Sequence, residues 1–499
     1  MKLQKYPYRY LLSVLLTGFS LVLAGRVTAQ TFSNLYNFSV DFVFFNGNVS
    51  NNDGCGPNGS LILSGNTLYG TAAQGGNWGN GTIFAVNTQG LNFTNLYSFT
   101  ATSIPTYEGG TNSDGATPTA GLVLSGNTLY GTAAYGGAYG SGTVFAIHAD
   151  STGFTNLHSF SVQATNALGS YTNSDGFYPN GALVLSGNTL YGTAYNGGVN
   201  GNGSVYKVDT DGTGFTNLYS FTATSVSYPN TNTDGANPNS VILAGNLLYG
   251  TTYYGGTNGN GTVFAINTNG TGFSVLYNFT SELANTNSDG ANPDAGLILS
   301  GTTLYGTSFW GGSSGAGTVF AIQTNGTGFT NLHSLTNSDG ANPDAGLILS
   351  GGIAFGTDLD TVFAVTTNGS NFTVLATFVG MQYDAVNGTE TNSAGYNPSG
   401  CLTLSGSTLY GTASTGAIYG SGTIYSIFLA PKLTLAYSKG GNLVLTWPTG
   451  FAGLTLQSAT NLISTAVWSP VVPAPVVVNG LETVTNQISG TKIFYRLSL

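Results

Sequence analysis

An aromatic-Gly-Thr triplet recurs seven times, at Tyr69, Tyr130, Tyr191, Tyr249, Tyr305, Phe355 and Tyr410, with successive gaps of 61, 61, 58, 56, 50 and 55 residues. Periods of this size belong to repeat architectures, in which no single unit buries its own core and each must pack on its neighbours. In the second unit four β-like runs follow one another: "LVLS" from Leu122, "TLYGTA" from Thr128, "TVFAI" from Thr143 and "FTNLHSF" from Phe154. A Gly-Asn pair between the first two runs suits a tight hairpin, and a Gly-rich loop separates the second from the third. Four antiparallel strands in 50–60 residues is the pattern of a propeller blade.

The ends of the array are informative. The seventh unit supplies "LTLS", "TLYGTA" and "TIYSI" but lacks its fourth run, whereas "TFSNLYNF" at Thr31 is a fourth run standing alone. Ring closure explains both, since the first strand of the chain would complete the last blade and hide the edges of an open array. The expectation is an all-β chain: a seven-bladed β-propeller closed by the N-terminal strand over residues 30–429, plus a small C-terminal β-sandwich over residues 430–499. Trp447 and Trp468 are expected in the core of that sandwich.

Residues 1–29 combine Lys2, Lys5 and Arg9, a short apolar run and "VTA", the pattern of a secretory signal peptide. This implies export to the extracellular space or outer cell surface, with no transmembrane segment in the mature chain. Between Gln30 and Ala430 stand 18 acidic residues and one basic residue, Lys207. Nucleic acid requires a Lys/Arg footprint and is excluded as a partner. From Pro431 onward four basic residues face one acid, a balance that suits sorting or attachment.

If strands alternate in direction, the leading loop of each unit and its Gly-rich loop share one face, where a ligand site is expected. The ligand-binding candidates there are Trp78, Tyr135, Tyr254, Trp310 and Tyr419, within a wider set that includes Tyr139, Tyr195, Tyr253 and Phe309; they would form a platform for sugar rings or a partner's apolar surface. Unit six lacks the Gly-rich loop, so Asp358 and Asp360 are expected to flank a notch in the rim. The leading loops carry "NSDG"-like phrases with Asp53, Asp114, Asp175, Asp234, Asp289 and Asp339, and "DGANPD" adds Asp294 and Asp344. Asp289, Asp294, Asp339 and Asp344 are the carboxylates a calcium ion would use. The spacing is not that of an EF-hand, and an Asx turn made by the Asp itself is the favoured reading, so no metal or other cofactor is expected. His158 and His333 replace a strand tyrosine and read as blade positions rather than bases. Cys55 and Cys401 would lie on neighbouring blades in a closed ring, where export permits a disulfide.

The combined phrase "DGANPDAGLILSG", "LYGT", "GG", "GTVFAI" and "TNGTGFT" resembles the GloVer tandem-repeat family, over roughly residues 31–429. These are bacterial exported proteins in which similar repeats join different C-terminal anchors ("choice-of-anchor"). The tail is similar to terminal β domains of other exported proteins. The resemblance implies export and display and carries no activity or catalytic residues. Phe355, the lost loop of unit six and Ala394 in unit seven depart from the repeat and count against a fully symmetric site. A non-enzymatic surface scaffold that binds a glycan or a surface protein is therefore expected. The alternatives are a polysaccharide-active enzyme using loop-face carboxylates and a purely structural surface component.

Overall fold

The computed structural model describes residues 31–498 except 40–41, 44–48, 105–108, 168, 226, 379, 385–388, 430–432, 439–441, 449–454, 461–466, 479–480 and 488–492. The segment expected to be a signal peptide, residues 1–29, lies outside the described residues. The described residues form no α-helix, and none of their segments is a helix long and apolar enough to cross a membrane. The chain divides into two compact bodies, one made of Phe32–Ser405 and Leu409–Ile427, the other chiefly of Phe428–Leu499.

Each repeat unit forms a four-stranded sheet in sequence order, as in unit one with Ile62–Ser64, Thr67–Ala72, Thr82–Asn87 and Thr94–Ser98. The exception is the last unit, where Thr403–Ser405, Thr408–Ala413 and Thr423–Phe428 are joined by Thr31–Asn37 from the start of the chain. There Thr423 donates its hydroxyl to the Tyr36 carbonyl at 2.6 Å, and the Phe38 amide donates to Gly422 at 3.1 Å. The first two strands of each unit are joined by a two-residue turn that opens on glycine, Gly65-Asn66 in unit one; Gly65 sits at φ 57°, as a two-residue hairpin of this hand requires.

The structure explains the triplet residue by residue. A Cβ at Gly70 would lie 2.6 Å from the Phe84 ring, so glycine there lets the third-strand aromatic cross the second strand. Thr71 donates its hydroxyl to the Ala120 carbonyl of the next unit at 2.9 Å. Tyr69 packs into a core cluster shared with Leu122, Leu129 and Phe145 of that unit. The cores thus lie between units rather than within them. Fully buried rings such as Phe84, Phe145 and Phe264 each contribute about 1.5–3 kcal/mol by leaving water.

The same contacts join the last unit to the first. Phe38, Tyr410 and Ile424 form one cluster with Leu61, Leu68 and Phe84, and Thr412 donates to the Gly59 carbonyl at 3.3 Å. The tail forms two sheets of its own. One holds Thr434–Tyr437, Asn442–Pro448, Leu481–Gln487 and Val476–Val478; the other holds Ser469–Pro470, Thr455–Ala459 and Phe494–Ser498. Leu445, Trp447, Leu456 and Val484 fill the space around which they pack. Trp468 is not in that core: it is half-buried, with the Arg496 guanidinium 4.4 Å above its ring.

Candidate functional site

The leading loop of each unit except the sixth is bound to the Gly-rich loop of the same unit. Backbone bridges join Cys55 to Gln74, Ala116 to Tyr135, Phe177 to Asn196, Ala291 to Trp310 and Tyr396 to Thr415. The turn in "NSDG" is made by the asparagine, not by the aspartate as expected. Asn112 Oδ1 accepts from the amides of Gly115 at 2.9 Å and Gly137 at 2.8 Å, stitching the two loops together.

The aspartates do something else. Asp114 accepts from the Tyr97 hydroxyl at 2.8 Å, the Thr100 amide at 2.8 Å and the Thr100 hydroxyl, all at the end of the preceding unit's fourth strand. The Tyr97 ring stacks 3.9 Å from Phe154 of the following unit. Asp53, Asp234 and Asp289 repeat this clamp with Tyr36, Tyr219 and Tyr277. In two units histidine replaces the tyrosine: His158 meets Asp175 at 3.0 Å and His333 meets Asp339 at 3.1 Å. Burial pushes the Asp175 carboxyl up, but the bonds from His158 and Ser161 outweigh it and hold it below the usual carboxylate range. Asp289 and Asp339 are therefore occupied by strand donors. Among the described residues no group of three or more His, Cys, Asp or Glu is placed to hold a metal ion. Asp114→Ala removes three bonds to a buried carboxylate and should lower stability by about 2–3 kcal/mol, against about 1 kcal/mol for Tyr97→Phe, as read from urea unfolding midpoints.

Two further expectations need correction. Asp358 does not flank a notch. It is 0% exposed, in the place that Ala72 takes in unit one, and it accepts from the amides of Asp360 at 3.0 Å and Thr361 at 2.8 Å and from the Thr361 hydroxyl at 2.6 Å. The same position is fully buried in the units that keep the Gly-rich loop, as at Ala72, Ala133 and Ala194, and here the carboxylate satisfies the tight turn that stands in the loop's place. Asp360 is half-buried and accepts from the Tyr396 hydroxyl. Cys55 and Cys401 are separate thiols, not a disulfide. The residue that neighbours Cys401 across the seam is Ser60, whose hydroxyl accepts from the Cys401 amide at 3.0 Å; Cys401 Sγ accepts from the Gly346 amide on the opposite side, also at 3.0 Å.

The structure brings aromatics of units two to five together and leaves others apart. Tyr135 lies 5.0 Å from Tyr178, which lies 6.1 Å from Tyr195. Tyr253 and Tyr254 meet edge-on at 4.5 Å, Phe309 and Trp310 at 4.9 Å, and Trp310 lies beside the Tyr253 hydroxyl. Trp78, Tyr139 and Tyr419, 53%, 54% and 38% exposed, stand on the loops of units one, two and seven.

Beside the cluster stand two carboxylates. The position after the leading-loop proline is Thr119, Asn180, Asn239, Asp294 and Asp344 in units two to six. Burial, and then the Asp344 charge, push Asp294 up to about 7; burial, and then the Asp358 charge, push Asp344 up to about 7. The Asp294 charge in turn adds to burial in raising the Tyr195 hydroxyl and in pushing Tyr253 up to about 12. Three oxygens of this row, Thr119 Oγ1, Asn180 Oδ1 and Asp344 Oδ1, are buried without a hydrogen-bond partner.

Tyr178 is the residue the sequence reading missed. It precedes a proline at φ 62°, where units four to seven have Asn237, Asn292, Asn342 and Asn397 in the same left-handed conformation. Asn237 Nδ2 there donates to the Tyr195 carbonyl of the preceding unit at 3.0 Å. A bulky side chain at positive φ costs about 1 kcal/mol or more, and such strain gathers at ligand clamps. Tyr178→Asn should therefore raise stability by about 1 kcal/mol in urea unfolding. The signal was a tyrosine in "GFYP" where other units have small or amide residues.

Solved structures resemble the fold at low identity. An oligogalacturonate lyase in complex with manganese is 10% identical, with TM-score 0.46, over 81% of this chain and 97% of that one. The extracellular domain of the putative hybrid two component system BT4673 from B. thetaiotaomicron is 10% identical, with TM-score 0.46, over 89% of this chain and 48% of that one. A nidogen/laminin complex gives 15% identity and TM-score 0.37, over 62% and 92%. No curated protein sequence matches the chain. The Gloeobacter/Verrucomicrobia repeat matches residues 27–170, 161–358 and 224–395, and with its seven aromatic-Gly-Thr units the chain belongs to that repeat family.

Proposed function

We propose that the repeat region closes as a seven-bladed β-propeller exported to the cell surface, that its loop face binds a glycan without transforming it, and that the tail serves sorting or attachment. Closure is supported by the N-terminal strand in the last sheet and by the bonds from Thr412 to Gly59 and from Cys401 to Ser60. The observation that carries the binding reading is the crescent of Tyr135, Tyr178, Tyr195, Tyr253 and Trp310 beside Asp294. Aromatic faces stack on sugar rings while a carboxylate and unpartnered oxygens accept from hydroxyls. Trp310 is 43% exposed, so part of this surface is open to a ligand.

A glycan array probed with the secreted chain tests this. Selective binding that falls at least tenfold in Trp310→Ala and stays unchanged in Trp78→Ala is expected; binding insensitive to Trp310, or none, contradicts it. The raised carboxyls of Asp294 and Asp344 favour a second reading, a polysaccharide-active enzyme. Release of reducing ends that stops in Asp294→Asn would establish that reading instead.

A further inference from the structure

The acids at the edge of the crescent have no counter-charge. Among the described residues Asp294 and Asp344 make no ion pair; the ion pairs found are those of His158 and His333. Lys207, the single basic residue between Gln30 and Ala430, lies in the third strand of unit three, opposite Tyr191 in the ladder. The charge that reaches Asp294 is that of Asp344, the charge that reaches Asp344 is that of Asp358, and the other ionisable groups facing them are Tyr195, Tyr253 and Cys401, which burial keeps protonated. None of these is a cation.

The row is also rich in acceptors. Thr119 Oγ1, Asn180 Oδ1 and Asp344 Oδ1 are buried with no donor, whereas the amide of neighbouring Asn239 is already committed to the Pro293 carbonyl at 2.6 Å. A buried acceptor left without a donor costs about 1–3 kcal/mol, and a buried carboxylate more. A neutral sugar can supply hydroxyl donors but leaves the charge of Asp294 uncompensated. An ammonium supplies three donors and a positive charge, and tyrosine faces attract cations by about 0.5–2 kcal/mol. A metal ion would need more ligands than the described acids provide, and it would gain little from the rings.

We propose that the glycan recognised at the Tyr178–Tyr195–Tyr253 crescent is a cationic amino sugar polymer, whose ammonium group pairs with Asp294 while its ring lies against the tyrosines. The proposal rests on the glycan reading above and adds the charge. It implies discrimination between a deacetylated polysaccharide and its acetylated counterpart, which share every ring atom and differ in charge.

The test is calorimetric titration of the full secreted chain at pH 6.5 with EDTA present. The probes are the fully deacetylated chitosan oligosaccharide, whose protonated amines keep their three N–H donors, and the fully N-acetylated oligosaccharide of equal length. The expected result is at least tenfold tighter binding of the cation, narrowing to within about twofold in Asp294→Asn while that variant still binds the acetylated probe. Equal binding, or preference for the acetylated probe, overturns the charge inference and leaves the glycan reading standing. A preference that survives in the Asp294→Asn, Asp344→Asn double variant also overturns it. Binding of the cation that appears only when calcium replaces EDTA overturns it in favour of a metal. Binding of neither probe with or without calcium, together with silence on the array, removes the glycan reading and this inference together.

Discussion

A chain lacking residues 31–38 will not fold to a stable monomer. That segment supplies the fourth strand of the last sheet, so its removal exposes the edge of Thr423–Phe428, a template for pairing with other chains. It also strips the joint between last and first units. Phe38 is fully buried against Phe84; Tyr36 stacks 4.0 Å from Phe93 and donates to Asp53 at 2.7 Å; Phe32 packs 5.5 Å from both Tyr425 and Phe378. One fully buried ring at about 1.5–3 kcal/mol, two half-buried rings and the lost ladder bonds are comparable with much of a domain's whole stability of about 5–15 kcal/mol. Size-exclusion chromatography with circular dichroism is expected to show aggregate or unfolded chain, and a synthetic peptide of residues 31–38 should restore the monomer by strand addition. A truncated monomer as stable as the full chain would mean that the units do not depend on closure.

Stability should fall as the pH rises from about 4 to about 7. Asp294 and Asp344, at about 7, and Asp358, at about 6, are all raised from 3.8 by burial, so in that window the folded chain holds protons that the unfolded chain has lost. The facing groups reinforce the effect: Asp344 acts on Asp294, Asp358 on Asp344 and Asp360 on Asp358, while hydrogen bonds from Thr361 and the Asp360 amide oppose it at Asp358. A lone carboxyl moved from 3.8 to about 7 costs about 4 kcal/mol to ionise, and because the three titrate as a coupled set the total is less than threefold that. Asp175 works in the other direction: its lowered value contributes stability above the unfolded value that is lost in acid. The expected profile has its maximum near pH 4–5 and a decline on the order of 3–5 kcal/mol by pH 8. Asp344→Asn should flatten the decline, stabilising at pH 8 and leaving pH 4.5 unchanged. Urea midpoints across this range measure it, and a profile that rises toward pH 8 contradicts it.

The repeat, the strands within each unit and the displaced N-terminal strand were legible because each is local: a period, a hairpin glycine, a missing run. What was not legible depends on a neighbouring unit. Asp114 was read with its own turn because nothing nearby in sequence marks Tyr97, seventeen positions earlier, as its partner. Asp358 was read as a rim acid because a lost loop suggests a gap, whereas its position in the repeat is buried in every unit and its carboxylate binds the amides of the short turn. Cys55 and Cys401 were paired by unit adjacency, but the seam sets Ser60 rather than Cys55 against Cys401. The aromatic loops were legible as a set. Which of them converge was not, because Tyr178 joins Tyr135 to Tyr195 from a position where other units carry glycine, threonine or asparagine.

The most direct measurement is hydrogen-exchange footprinting of the full chain with and without an oligosaccharide selected on the array. Protection confined to the loops around Tyr178, Tyr195, Tyr253 and Asp294–Trp310 is the predicted result. Protection on the Ser-Gly hairpins, in unit seven or in the tail, with these loops unchanged, would contradict the assignment of the crescent as the binding site.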